Sequence, residues 1–102
     1  MILTRRRPDL DPQAFKDRYV NHHAAIVARM PGLRRYVQQV VLPGADGREP
    51  EVSGIAEVWY DDAAGFRAAM ASPVAAEANA SLATFTDTNR MQVFVVEEMP
   101  VL

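Results

Sequence analysis

Apolar positions along this chain recur at two spacings, one helical and one strand-like, and the changes between them lay out the fold. Met1–Arg6 reads as a short first strand ending before Pro8. In "DLDPQAF", Asp11 is a natural N-cap, Pro12 suits the first helical position, and Phe15 opens an apolar stripe. At the 100° per residue of an α-helix, Phe15, Tyr19, Ile26 and Met30 share one narrow face. His22 falls just outside one edge of that face and His23 just outside the other. Pro31-Gly32 stops the helix. Leu33–Leu42 and Ser53–Tyr60 read as the second and third strands, with a long polar loop, Pro43–Val52, between them. Asp61 or Asp62 caps a second helix through Ala71, in which Phe66 and Met70 form an i,i+4 apolar pair. Ser72-Pro73 restarts a short Ala-rich helix, and Met91–Glu98 is the last strand. The order β-α-β-β-α-(α)-β predicts an α+β, ferredoxin-like βαββαβ sandwich. With no repeat or linker, residues 1–102 read as a single domain.

Strand parity carries the next inference. Helices on one face of such a sheet leave the other face to be polar at period 2. Here the alternation fails. In the third strand Ile55 and Trp59 lie on one face, and Ala56, Val58 and Tyr60 on the other. In the fourth, Val93 and Val95 oppose Phe94 and Val96. An apolar sheet face without a helix marks an interface or a ligand site, and the economical solution is a homodimer joined through the sheet faces. Glu57, sharing the parity of Ile55 and Trp59, would then meet a ligand rather than water. The competing reading is that the C-terminal helical segment covers this face by itself.

Composition narrows the chemistry. With no cysteine there is no disulfide, no thiolate nucleophile and no Cys-built metal site. No apolar run approaches the ~20 residues of a membrane helix, and "MILTRRRPD" has charge without a following apolar stretch, so the expected setting is cytoplasmic, away from membranes. A net charge of −2 argues against bulk attraction to nucleic acid. RNA-recognition domains share this element order, but they need a basic, aromatic strand motif where this chain has "SGIAEVWY". The charge is uneven: residues 1–40 balance at +5 and the remainder at −7. Pairing between elements is the plainer explanation, and a positive rim for an anionic small molecule the sharper one.

The two histidines invite a metal, but neighbours on a helix point about 100° apart and cannot chelate one ion together. No nucleophile elbow surrounds Ser53, Ser72 or Ser81, and no Gly-rich phosphate loop is present. General acid/base chemistry remains. A histidine at the edge of an apolar stripe is held neutral by desolvation and can accept a proton, although such a residue is also common packing.

Three segments resemble a known family: "RRRPDLDPQAFKDRYVNHHAAIVARMPGLRRYVQQVV", "GIAEVWYDDAAGFRAAMASP" and "FTDTNRMQVFVVEE". Together they resemble the EthD domain family of small dimeric α+β-barrel proteins. The resemblance implies dimerisation through the sheets and a part in the catabolism of small organic molecules, ethers among them, with no cofactor and no metal. It places the family's histidine on His23, leaving His22 as a surface or packing residue. It implies Asp87 or Glu57 as the group orienting the imidazole, and Tyr36, Glu57, Trp59 and Phe85 as substrate-binding positions. Asp87 in "FTDTN" also reads as an ordinary turn or capping residue. Where the family has His-Ala-Pro-Leu, this chain has His23-Ala24-Ala25-Ile26, and losing the proline is expected to straighten the helix. The substrate expected in a cavity between the sheet and the first helix is a small cyclic or aromatic compound. Binding without turnover is the alternative.

Overall fold

A computed structural model describes residues 1–102. Strand β1 (Ile2–Thr4) leads through an Arg-rich turn into a helical run made of α1 (Pro12–Asp17), a π-helical turn (Arg18–His23) and α2 (Ala24–Val27). Strands β2 (Arg35–Val40) and β3 (Gly54–Trp59) form a hairpin, followed by α3 (Ala63–Met70), α4 (Pro73–Leu82), a 3₁₀ turn (Thr88–Arg90) and β4 (Gln92–Val93). The sheet runs β2-β3-β1-β4 with every neighbour antiparallel, the ferredoxin-like arrangement. No helix is long and apolar enough to cross a membrane.

The helix starts follow from local chemistry. Asp11 accepts a hydrogen bond from Ala14 N, Asp62 from Gly65 N and Ser72 from Ala75 N, each satisfying an amide that a helix N-terminus leaves open. Gly32 has φ +77°, the left-handed conformation in which glycine bears no steric penalty. In α3 the apolar pair is displaced: Ala69 is fully buried, Phe66 packs edge-on against Tyr60, and Met70 stays exposed.

The helices share one side of the sheet. Phe15, Tyr19, Leu82 and Phe85 form one core cluster, and Met30, Ala69 and Ala75 a second. Thr4, Gly54 and Ala56 are the buried sheet residues beneath them. A Cβ on Gly54 would lie 2.9 Å from the Tyr19 ring and 2.9 Å from Thr4 Oγ1, so the ring can lie on the strand only because position 54 has no side chain. Helix α4 packs against α2, α3 and the π turn, on this same side. It therefore does not cover the far face. There the register aligns Leu3 with Ile55, Val37 with Glu57 and Arg35 with Trp59.

The last strand differs most from the periodicity reading. Expected over Met91–Glu98, it spans Gln92–Val93, with backbone bonds continuing only to Phe94, whose N–H donates to Met1 O at 2.8 Å. Met1 N donates in turn to Phe94 O at 2.8 Å, and the backbone ladder ends with that pair. Val95 and Val101 are consequently about nine-tenths exposed, at 91% and 90%.

Candidate functional site

His23 lies at the centre of the helix-covered side, and the π turn put it there. A turn closed by i→i+5 bonds holds about one residue more than an α turn, so everything after it slips back by roughly 100°. Relative to Phe15 and Tyr19, that slip carries His23 inward and turns His22 out. His23 is 5% exposed, while His22 is exposed. The turn is pinned from the sheet: Gln38 Nε2 donates to the Tyr19 carbonyl at 2.8 Å.

Aromatic rings enclose the imidazole. Phe85 meets it edge-on at 5.3 Å between centroids, and Tyr19 lies nearly parallel to it at 6.5 Å. Nδ1 is 3.1 Å from Ser81 Oγ, on α4. Burial, with a smaller contribution from neighbouring His22, lowers the His23 pKa to about 4, because an imidazolium here would be desolvated. The side chain is therefore uncharged at neutral pH. Its second nitrogen, Nε2, makes no hydrogen bond within the chain. Nor is it among the enclosed unpaired polar atoms, which are Arg5 Nε, Tyr19 OH and Thr86 Oγ1.

The sheet divides the other expected site residues. Tyr36 is on the helix-covered side, where its hydroxyl accepts from Gln38 Nε2 at 2.8 Å and burial pushes its pKa up to about 12. Phe85 is fully buried against Phe15, Tyr19 and His23. Glu57 and Trp59 alternate with the buried Ala56 and so occupy the opposite face, where the Arg35 guanidinium rests 4.6 Å from the Trp59 ring centroid. Asp87 sits at the rim. Its carboxylate accepts from Asn89 N at 3.1 Å and pairs with Arg90 Nε at 2.9 Å, which is the capping geometry. Neither carboxylate expected to orient the imidazole is bonded to it; the partner is a serine.

Two further residues escaped the sequence reading, Ser81 and Gln38. Ser81 lies three and six positions after the buried Ala78 and Ala75, a spacing that places a hydroxyl on the inner side of α4. Gln38 shares the strand parity of Tyr36. Between the sheet and the first helix, where a cavity was expected, Phe15, Tyr19, Leu82 and Phe85 pack together. A polar groove lies instead at the rim, lined by Arg7, Pro8, Asp9, Ala83, Thr86, Asp87 and Thr88. The uneven charge resolves into pairs between elements: Arg5 with Glu51, Arg6 with Glu49, Arg29 with Glu77 and Arg34 with Asp61.

Comparison with known proteins bears directly on this arrangement. The family model of the EthD domain matches residues 7–89, a span holding His23, Tyr36, Glu57, Trp59, Ser81, Phe85 and Asp87. The chain belongs to the EthD domain family. Among solved structures, it resembles an ethyl tert-butyl ether d (EthD) family protein from Bacillus halodurans, with a TM-score of 0.79 and 26% identity over 96% of this chain and 95% of that one. Among curated proteins, this EthD chain is 28% identical over 88 residues to an uncharacterized 11.0 kDa protein in the thcB-thcC intergenic region of Rhodococcus erythropolis. That match covers 86% of this chain and 84% of the relative.

Proposed function

We propose that this EthD-family chain is a cytoplasmic, homodimeric enzyme acting on a small cyclic or aromatic organic compound without a resident cofactor. The chemistry is acid/base in kind, an isomerisation or elimination, or an oxidation in which dioxygen as co-substrate takes the electrons, with a proton moving next to a carbonyl or ether oxygen. His23 is the group that handles the proton, Tyr36 offers a hydroxyl to the substrate, and Phe85 shapes the apolar wall. The observation that carries this reading is a neutral imidazole enclosed by aromatic rings whose Nε2 has no partner in the chain. In a low-dielectric setting a hydrogen bond from such a group acts strongly on a reacting atom, because little water competes for it. The family name of the Bacillus halodurans relative, with its reference to ethyl tert-butyl ether, supports small organic compounds as the substrate class.

The dimer forms through the helix-free sheet face, where Leu3, Val37, Ile55 and Trp59 are only half-buried in the single chain. Trp59 and Glu57 belong to that interface in this reading.

A panel of small cyclic ketones, phenols and aryl ethers, assayed with wild type and His23→Ala, tests the proposal. Loss of a positioned acid/base group lowers turnover by about 10²–10⁴-fold. Turnover that His23→Ala leaves intact removes His23 from the chemistry. One observation favours a second reading: no carboxylate is hydrogen-bonded to the imidazole. A non-catalytic binder would show saturable binding, no product and no dependence on His23.

A further inference from the structure

The surroundings of His23 fix which of its ring nitrogens carries hydrogen. Ser81 is 6% exposed, and the contact with His23 Nδ1 is the one hydrogen bond its hydroxyl makes. That hydroxyl owns a single hydrogen and needs an acceptor for it. A helical serine usually finds one in the carbonyl four residues back, here Glu77, but Ser81 is turned to the imidazole instead. If Nδ1 carried the ring hydrogen, Ser81 would accept it and would keep its own hydrogen buried and unbonded, the costly arrangement for a polar group. If Nδ1 is bare, Ser81 donates to it and both groups are satisfied. The ring hydrogen then sits on Nε2, the nitrogen without a partner in the chain.

We infer that Ser81 is a positioning residue that holds neutral His23 as its Nε2–H tautomer, so that the imidazole presents an uncharged N–H donor to an acceptor oxygen of the ligand. The inference deepens the proposed function and, in its ligand half, rests on it. It sets the direction of the chemistry: His23 handles the proton as a donor, sharing its Nε2–H with a carbonyl or ether oxygen and withdrawing electron density from the adjacent carbon, rather than pulling a proton off through Nε2. Tyr36 fits the same assignment. Its hydroxyl oxygen accepts from Gln38, which leaves the phenolic hydrogen free to donate as well. Two neutral donors on one side of the sheet suit a ketone, lactone or ether and disfavour an ammonium or amidinium compound, which has no lone pair to receive them.

Long-range proton–nitrogen NMR on the ¹⁵N-labelled chain at pH 7 reads the tautomer directly. The wild type is expected to show hydrogen on Nε2 and a bare Nδ1; hydrogen on Nδ1, or an even mixture, overturns the inference without requiring any variant to fold. Ser81→Ala is expected to shift the population toward Nδ1–H, and Ser81→Thr, which restores the hydroxyl, to reverse that shift. A ring spectrum unchanged by Ser81→Ala removes Ser81 from the account. Titration with cyclohexanone is expected to move the Nε2 resonance saturably, and a resonance that stays put overturns the acceptor-oxygen half. The two readings fail separately. A wild-type Nδ1–H spectrum leaves an enzyme whose His23 acts as a base, whereas absence of turnover on every compound leaves the tautomer assignment standing.

Discussion

The two faces of this sheet are built on opposite rules. On the covered face the residues beneath the helices are small or tethered: Gly54 and Ala56 make room for rings, Thr4 Oγ1 donates to Gly54 O, and Gln38 uses its amide on Tyr19 and Tyr36. On the far face the residues are large and apolar, Leu3, Val37, Ile55 and Trp59, with Glu57 among them. The covered face is packed within one chain, and its polar strand residues Thr4 and Gln38 are paired there. The far face is half-finished. In the proposed reading the sheet keeps two tasks apart, holding the imidazole on one side and offering a surface to a second copy on the other.

The contrast can be broken most strongly at Phe85. Phe85→Ala removes a fully buried ring that touches Phe15, Tyr19 and His23, and should cost about 3–5 kcal/mol in urea unfolding. A loss under about 1 kcal/mol would mean that the covered face is not the core. Gly54→Ala comes next. Its new methyl group meets the Tyr19 ring and Thr4 Oγ1, and overpacking of this kind costs about 1–3 kcal/mol. The same unfolding experiment on Ile55→Ala, one residue along and on the far face, should register less.

Acid should act through the covered face too. His23 has its folded pKa lowered from 6.5 to about 4, so between those values the unfolded chain binds the proton that the folded chain refuses. Stability from this group is present above pH 6.5 and is lost as pH falls toward about 4, on the order of 3 kcal/mol in all. Unfolding midpoints measured across that window should flatten in His23→Gln. The smallest effect on the chain's own fold belongs to the far face. Val37→Glu should change monomer stability by no more than about 1 kcal/mol, yet light scattering should show it at half the wild-type mass. A wild type that runs as a single subunit at high concentration would leave the far face without its partner.

The parts of the fold legible in the sequence were those set by local chemistry. Asp11, Asp62 and Ser72 cap their helices through bonds that span three residues, and the stripe of Phe15, Tyr19, Ile26 and Met30 is buried throughout. The ferredoxin-like plan followed from element order. What periodicity could not reveal was the π turn, since a fixed 100° step places His22 and His23 symmetrically and only the slip separates them. It also gave no sign of how far β4 would pair, because that depends on how much of β1 lies opposite. Within the site, a family resemblance singled out His23, but its bonding partner Ser81 lies 58 residues away and meets it only through the packing of α4 on the π turn. Strand parity put Glu57 and Trp59 on the helix-free face, where they lie, and so across the sheet from the imidazole with which the resemblance had grouped them.

The wide turn between Arg18 and His23 bears on how relatives should be read. A homologue one residue shorter at this point could hold its imidazole in the same place with an unbroken α-helix, forgoing only the carbonyl that Gln38 now engages. A solitary gap there, when such chains are aligned, would record a change of helical pitch and not the loss of a site.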